Sequence, residues 1–201
     1  MGPSPIAYPE GMARWEPDAR DRLLRAALDL FAEQGYDDTT VIQIAQRAGL
    51  TKSTFFRHFR DKREVLFGGQ DTLNGLLAEG IANAPDGATP LDAVAAALAA
   101  AAAIFIPARR DYAPALLAAI AANSELRERE ALKYTGFAEA MTEALRRRGV
   151  PDRPASVAAW LGVLAFGDAY SRWADPANPH EFGELARQAL QELRTTVAEL
   201  R

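Results

Sequence analysis

The sequence contains no cysteine and only two histidines in 201 residues. Without cysteine the chain can form neither a disulfide nor a thiolate metal site, and it lacks a cysteine nucleophile. His58 and His180 belong to no Glu-x-x-His pair and to no evident Ser-His-Asp set, and a glycine-rich phosphate loop is missing. We therefore expect no catalytic site, no metal site and no cofactor, and we predict that the protein is not an enzyme.

Long hydrophobic runs are also missing. The longest apolar stretches, Ala93–Ile106 and Val157–Gly167, are shorter than the roughly 20 residues that a membrane-spanning helix needs. The N-terminus from Met1 to Arg14 lacks the basic start and the apolar run of a secretory signal. The sequence therefore predicts a cytoplasmic protein that does not associate with a membrane.

Strand signals are scarce, since alternating runs of valine, isoleucine, threonine and tyrosine do not occur. Alanine, the strongest helix former, accounts for 42 of the 201 residues. Apolar residues recur at intervals of three and four along most of the chain, which is the period of an amphipathic helix. The sequence predicts an all-α fold of about nine helices.

Breaks in this periodicity divide the chain into three parts. Residues 1–16 contain three prolines and two glycines without any periodicity, so we interpret them as a flexible tail. Residues 17–77 hold short helices, the last of which is expected to begin with a capping box at Asp61–Glu64 and to continue through Leu77. Residues 78–201 hold longer helices and form a second domain.

Residues 40–59 have the pattern of a helix-turn-helix. Thr40 and Gln43 have the spacing of a capping box, Gly49 supplies a turn, and Thr51 can cap the second helix. Once the apolar residues of the hinge are buried, the second helix presents a short polar and cationic face outward. This face consists of Lys52, Ser53, Thr54, Phe56, Arg57 and His58. It is suited to the major groove of DNA.

The charge of the chain is unevenly distributed. The net charge of −4, taken alone, argues against a nucleic-acid ligand. Between Thr39 and Arg63, however, six cations stand against one carboxylate, so this window carries +5 and the rest of the chain −9. A basic window indicates an electrostatic footprint on DNA, although a helical hairpin with a solvated basic face would have the same composition.

The first helices closely resemble those of TetR-family transcriptional regulators. The resemblance is carried by Leu23–Tyr36 (LLRAALDLFAEQGY), by Thr39–Leu50 (TTVIQIAQRAGL), and by Lys52–Phe59 (KSTFFRHF) with the following Asp61-Lys62. These segments look like the first helix, the second helix, and the recognition helix with the entry to the fourth. The match is nearly continuous and its motif is specific, whereas the C-terminal part is similar to the family only in the number and order of helices.

The resemblance implies a two-domain, all-α homodimer that binds a palindromic double-stranded DNA operator, usually as a repressor. A small-molecule effector in the C-terminal domain is expected to release the DNA. By motif position, the implied readers of base edges are Lys52, Ser53, Thr54 and Arg57, and the implied phosphate contacts are Thr40, Gln43, His58 and Lys62. Phe56 stands where the family commonly has tyrosine, so it cannot bond a phosphate but can contact a thymine methyl group.

The C-terminal half offers candidates for a dimer interface and a ligand pocket. The helices near 155–173 and 182–200 are apolar all round or regularly striped, so a four-helix bundle between two chains would bury both. Alternatively, they cover only the core of their own subunit. Pocket candidates are Phe105, Tyr134, Phe137, Met141, Trp160, Asp168 and Trp173. Asp168 is the one acidic residue within its apolar segment, where it could bind a ligand or pair with Arg172.

Two other functions remain open from the residues. One is a helical carrier of apolar ligands that does not bind DNA, which explains the apolar C-terminal half but not the basic window. The other is a DNA-binding regulator whose core is filled and which has no effector. Sequence-specific binding to duplex DNA would exclude the carrier, and a collapsed core would favour the regulator without an effector.

Overall fold

The computed structural model describes residues 19–200, which are mostly helical. The flexible tail expected at 1–16, residues 17 and 18, and the last residue lie outside this range. Within it there are eleven α-helices, nine of which have seven residues or more, and no strand. In chain order they are α1 (Ala19–Gln34), α2 (Val41–Arg47), α3 (Lys52–His58), α4 (Glu64–Phe67), α5 (Gln70–Ala82), α6 (Pro90–Ala101), α7 (Pro107–Arg110), α8 (Ala113–Ala122), α9 (Ser124–Arg147), α10 (Asp152–Ala174) and α11 (Phe182–Glu199), with a 3-10 turn at Ala102–Ile104. The prediction of an all-α fold is confirmed.

The helices α1 to α4 pack around one small core. Leu23 of α1, Ile44 of α2 and Phe55 of α3 are fully buried in it. The helix α2 begins as predicted, because the Thr40 hydroxyl accepts from the N–H of Gln43 while the Gln43 side chain accepts from the N–H of Thr40. The core therefore holds α2 and α3 with one face of each helix turned outward.

The long helix predicted to start at Asp61 is broken into α4 and α5. Gly68 is extended and Gly69 has a φ of +96°, a left-handed conformation that residues with a side chain rarely adopt. The predicted capping box is incomplete, because Asp61 accepts from the N–H of Glu64 while the Glu64 carboxylate bonds Arg129. Two consecutive glycines disfavour a continuous helix more strongly than the apolar period favours it.

The helices α5, α6 and α9 to α11 form a larger core. The helices α5 and α6 approach so closely that a Cβ at Gly80 would lie 2.6 Å from the Cα of Ala97. A Cβ at Gly162 of α10 would lie 2.6 Å from the side chain of Val94 and 3.2 Å from the sulfur of Met141. Small residues in these helices therefore allow close helix packing.

No single helix within residues 19–200 is long and apolar enough to cross a membrane. Only the pair Pro90–Ile104 and Pro107–Ala122 reaches the required length and hydropathy together, and its two members are bent by 86°. Val94 and Leu98 of the first member are fully buried in the larger core.

Candidate DNA interface and ligand cavity

The outward face of α3 carries most of the side chains predicted to read DNA. Lys52, Ser53 and Arg57 are exposed, and Phe56 is 48% exposed. The Nζ of Lys52 lies 5.8 Å from the centre of the Phe56 ring, so the cation and the ring form one projecting surface. This surface combines two cations, a hydroxyl and an apolar ring, which are the groups that can contact base edges and thymine methyl groups.

Buried aromatic side chains hold α3 in place behind this surface. Phe55 and Phe59 are both buried, and the centroids of their rings are 5.7 Å apart. At the start of the helix, the Thr51 hydroxyl accepts from the N–H of Thr54 at 3.1 Å, as predicted for the cap. Because core packing and the cap fix both ends of α3, its outward side chains project from a rigid helix.

The turn between α2 and α3 is reinforced from α1. Gly49 has a φ of +66°, which glycine adopts without strain. The Arg22 guanidinium donates to the carbonyl of Ala48 at 2.5 Å, and a Cβ at Gly49 would lie 2.9 Å from that guanidinium. Both the backbone conformation and the available space therefore favour glycine at this turn.

Ion pairs reduce the charge of the basic window unevenly. Arg47 forms two hydrogen bonds with the carboxylate of Glu33, at 2.8 and 2.7 Å. Arg63 pairs with Asp61 and with Glu125. Within residues 19–200, the cations of the window that have no acidic partner are Lys52, Arg57, Arg60 and Lys62. The unpaired positive charge therefore lies on α3 and just after it.

Lys62 occupies a structural position, which corrects the expectation that it contacts a phosphate. Its ammonium group donates to the carbonyls of Tyr36, Asp37 and Thr39 at 2.6, 3.2 and 3.1 Å. It also lies 4.0 Å from the centre of the Tyr36 ring. An ammonium group has three hydrogen-bond donors, and here all three are used. Lys62 therefore fastens the loop between α1 and α2.

The remaining predicted DNA contacts, apart from Thr40, are less accessible than the exposed residues of α3. Thr40 is exposed and Gln43 is half-buried, and both take part in the capping box. Thr54 is half-buried, with its hydroxyl 3.0 Å from that of Thr51. His58 is half-buried, and its Nε2 is buried without a hydrogen-bond partner. Contact with DNA through these four side chains would require them to rearrange.

A cavity of about 350 Å³ lies between the N-terminal helices and the larger domain. Its wall comes from the start of α1, from α4 and the first turn of α5, and from α7 to α10. Aromatic rings make up much of the wall, and they belong to Phe67, Phe105, Tyr112, Phe137, Phe166, Tyr170 and Trp173. The volume lies within the range of small-molecule sites, roughly 300–1,000 Å³.

Three of the seven side chains predicted to form a pocket line this cavity, namely Phe105, Phe137 and Trp173. The Phe105 ring stacks on that of Phe182 with centroids 3.8 Å apart and meets that of Trp173 edge-on at 5.3 Å. These ring contacts hold the aromatic wall in place around the cavity.

The other four predicted pocket residues do not line the cavity. Met141 is buried in the larger core, and Tyr134 packs against the aromatic cluster from the side. Trp160 is 45% exposed, and Asp168 pairs with Arg172 at 2.9 Å on the surface. The apolar character of α9 and α10 did not reveal which side of each helix faces this cavity, and these four side chains lie outside its wall.

Sequence reasoning missed the polar groups of the cavity wall, above all Lys133. Its side chain is 18% exposed, and its Nζ lies 4.8 Å from the ring centre of Tyr134 and 5.8 Å from those of Phe67 and Phe137. Burial lowers the pKa of Lys133, and the Glu130 carboxylate, 4.0 Å away, opposes that shift. Lys133 lies four residues before Phe137, a pocket candidate, and therefore on the same face of the helix, a signal that could have identified it.

Ion pairs connect α4 to α9 next to the cavity. Arg129 donates to the Glu64 carboxylate at 3.2 and 3.0 Å, and its guanidinium lies 5.6 Å from the centre of the Phe67 ring. One turn earlier, Glu125 pairs with Arg63 at 3.0 Å. Residues 125, 129, 133 and 137 therefore form one stripe of α9 that runs from the N-terminal helices into the cavity.

Comparison with known sequences finds relatives for the N-terminal helices. A family model described as "Bacterial regulatory proteins, tetR family" matches residues 23–67. The chain is 41% identical to the transcriptional regulator TcmR of Streptomyces glaucescens over 81 residues, which are 40% of this chain and 36% of that relative. It is 45% identical to the transcriptional regulator SrpR of Pseudomonas putida over 49 residues, 24% of this chain and 23% of that relative. The matches thus span well under half of either relative.

Solved structures match most of the chain at low sequence identity. The complex of SmeT, a Stenotrophomonas maltophilia repressor, with triclosan has a TM-score of 0.55 and 20% identity, over 87% of this chain and 88% of SmeT. FadR from Bacillus subtilis in complex with stearoyl-CoA has a TM-score of 0.51 and 18% identity, over 85% of this chain and 95% of FadR. At these identities the similarity shows the fold.

The sequence matches bear on the N-terminal helices, and the structural matches bear on the fold alone. The matched segment 23–67 ends at the last residue of α4, so it comprises the helix-turn-helix domain described above. The relatives are named as transcriptional regulators, as expected for a chain predicted not to be an enzyme. The N-terminal helices of the chain, residues 23–67, match the TetR family of bacterial regulatory proteins.

Proposed function

We propose that the protein is a sequence-specific DNA-binding repressor that a small-molecule effector releases from a palindromic operator. The observation that carries this proposal is the outward face of α3. There Lys52, Ser53, Phe56 and Arg57 project from a helix that buried aromatic rings and a cap hold rigid. Its site of action would be the cytoplasm.

The side chains divide by role. In this proposal the readers of base edges are Lys52, Ser53, Thr54 and Arg57, and Phe56 contacts a thymine methyl group. The phosphate contacts are Thr40, Gln43 and His58, after rearrangement, together with the exposed Arg60. Lys62 is not among them, because the backbone carbonyls of the loop before α2 occupy its donors.

A homodimer is part of the proposal, because a palindromic operator presents two half-sites to two copies of α3. On α10, Val157, Trp160 and Leu164 are exposed apolar side chains at intervals of three and four residues, so they lie on one stripe. Val197 of α11 and Leu200, which directly follows that helix, are exposed as well. Pairing α10 and α11 with their copies in a four-helix bundle would bury these side chains.

The cavity is the proposed effector site because it touches both domains. Its wall includes Leu66 and Phe67 of α4 on one side and Phe137 and Phe166 of the larger domain on the other. A ligand between them can favour one arrangement of α4 over another, and α4 carries the domain that contains α3. SmeT with triclosan and FadR with stearoyl-CoA are examples of this fold with small molecules bound.

The test is a selection of bound fragments from a pool of random duplex DNA with the full chain. We expect enrichment of an inverted repeat whose half-sites are about one helical turn apart, and an affinity that falls steeply with salt. Enrichment of no sequence would overturn the proposal. If apolar ligands still bound the cavity in that case, the protein would be a carrier of such ligands.

A further inference from the structure

The cavity wall carries polar groups that an apolar ligand alone would leave without partners. We infer that the effector is an apolar organic acid whose carboxylate lies beside Lys133 and the first turn of α5. This inference rests on the proposed effector site and names the class of ligand that the site takes.

The incompletely compensated charge of Lys133 is the first observation. Its ammonium group lies at the cavity wall among the rings of Phe67, Tyr134 and Phe137. Its ion-pair partner is Glu130, whose oxygen is 4.0 Å from Nζ, beyond the length of a hydrogen bond. Ring faces attract a cation but accept its hydrogen bonds only weakly. A carboxylate in the cavity would supply both the countercharge and the acceptors that the ammonium group lacks.

The first turn of α5 opens onto the same cavity. Gly68, Gly69 and Gln70 line the wall, and Gly69 at the cap position has no side chain to bond the free N–H groups of this turn. The partial positive charge of these groups favours a carboxylate. Asp71, the acidic residue of the turn, is exposed and does not belong to the wall.

Gln70 contributes an amide without a partner. Its Oε1 is buried and makes no hydrogen bond within residues 19–200. Its amide nitrogen would lie 3.1 Å from a Cβ at Gly136, which is three residues after Lys133 on α9, so the lack of a side chain there makes room for the amide. The amide nitrogen is a donor that can bond a carboxylate in the cavity, whereas the Oε1 is an acceptor and cannot.

The composition of the rest of the wall agrees with an apolar acid. The charged residues that line it are the cations Arg20, Arg109 and Lys133 and a single carboxylate, Asp21. An organic cation would be repelled by Lys133, and a neutral ligand would leave the Lys133 charge compensated only by Glu130, 4.0 Å away. The aromatic rings of the wall suit a flat or hydrocarbon body attached to the acid.

The test compares three probes with the same ring system: 2-naphthoate, 2-naphthylmethanol and 2-naphthylmethylamine. Their affinities for the full chain are measured by isothermal titration calorimetry near neutral pH. We expect the acid to bind one site per chain. The affinities of the alcohol and the amine should be lower than that of the acid by a factor of about 10 at least.

Two variants locate the charge that selects the acid. Lys133→Met keeps the apolar stem and removes the ammonium group, so naphthoate affinity should fall about 10- to 100-fold while the affinity for the alcohol stays the same. Arg147→Met removes a cation of the same helix that is 74% exposed and outside the cavity wall, and it should bind naphthoate like the wild type. Lys133→Gln replaces Lys133→Met if that variant fails to show wild-type helicity.

Each outcome decides the inference. Equal wild-type affinity for acid and alcohol, or an equal loss of acid binding in Lys133→Met and Arg147→Met, would overturn it. Binding of none of the three probes would also overturn it. All these results would leave the proposed repressor intact, with an uncharged or larger effector. Failure of the proposed function appears separately, as a duplex selection that enriches no sequence.

Discussion

The surface of α3 and the wall of the cavity use the same kinds of side chain, cations and aromatic rings, in opposite ways. On α3, Lys52 and Arg57 are exposed around Phe56, so their charges remain hydrated. In the cavity, rings surround Lys133 and burial lowers its pKa. The first arrangement suits a large polyanion that arrives from solvent, and the second suits a small anion that replaces water.

Because of this difference, we expect DNA binding by the N-terminal domain to depend on salt concentration and ligand binding in the cavity to depend on pH. Binding through exposed cations releases counterions and therefore depends on salt. Binding through a buried ammonium group depends on its protonation and therefore on pH. Substitutions in one domain can then be compared with substitutions in the other by measuring which dependence changes.

The largest effect is expected from a substitution in the C-terminal domain that removes DNA binding by the N-terminal one. Trp160→Glu places a carboxylate in the exposed apolar stripe of α10, and burying that charge in a dimer interface is unfavourable. The variant should sediment as a monomer, and its affinity for the selected inverted repeat should fall by a factor of about 100 at least. A monomer binds only one half-site at a time and loses the gain in affinity that comes from two linked DNA-binding domains. Trp160→Phe should stay dimeric. A dimeric Trp160→Glu with wild-type DNA affinity would contradict the proposed interface.

Lys62 and Lys52 distinguish a structural cation from a DNA-contacting one. Lys62→Met removes three hydrogen bonds to loop carbonyls, so the free energy of unfolding should fall by about 1–3 kcal/mol, with the salt dependence of DNA binding unchanged. Lys52→Met should leave stability unchanged and reduce the slope of log affinity against log salt, because one cation fewer displaces counterions from the DNA. Thermal unfolding and salt titrations measure both. The assignment fails if Lys62→Met lowers the salt slope at unchanged stability.

The buried ammonium group should make stability depend on pH in a defined direction. Burial lowers the pKa of Lys133 from its ordinary value of 10.5, so the unfolded chain keeps this proton to higher pH than the folded chain. The penalty for burying the charge is then full below the folded-state pKa of Lys133 and disappears as the pH rises toward 10.5. Lys133→Met should therefore be more stable than the wild type at neutral pH, by an amount that shrinks with rising pH. Urea unfolding of both proteins from neutral pH to about pH 10.5 measures this difference in the free energy of unfolding. A difference that stays constant or grows with pH would contradict the burial of a charged Lys133.

The smallest effect is expected at the link between the domains. Arg129→Met breaks the ion pair with Glu64, which is partly exposed, so the free energy of unfolding should change by less than about 1 kcal/mol. Naphthoate affinity should be unchanged. Saturating naphthoate should weaken DNA binding less than it does in the wild type, because the ion pair that connects α9 to α4 is absent. Arg127→Met, an exposed position of the same helix, is the control. If saturating naphthoate weakened DNA binding equally in both variants, the ion pair of Arg129 would have no part in the coupling between the cavity and the DNA-binding helices.

The helix-turn-helix could be predicted from the sequence because its signals are local. The caps at Thr40 and Thr51 act on backbone groups three residues away, and Gly49 needs only its own φ. Lys62 was misassigned because the carbonyls that it binds lie 23 to 26 residues earlier in the chain. The local sequence around a lysine that follows the recognition helix does not tell whether its ammonium group contacts DNA or the carbonyls of a distant loop.

The cavity could not be predicted in detail, because helices that are distant in sequence form it together. Trp160 and Trp173 belong to the same apolar helix, but only Trp173 turns toward the cavity. The break between α4 and α5 at Gly68 and Gly69 brings a free helix terminus to the wall, and periodicity alone favoured a continuous helix. Lys133 was overlooked because a lysine in a helix is usually solvated.

The most direct test of the central claim, that α3 reads the operator, compares two duplex selections, one with the wild type and one with Arg57→Ala. We predict an inverted repeat with the same half-site spacing in both, and a loss of preference at particular base pairs in the variant, because only a contact to base edges carries sequence information. An Arg57→Ala protein that selects the wild-type motif at every position would contradict the account.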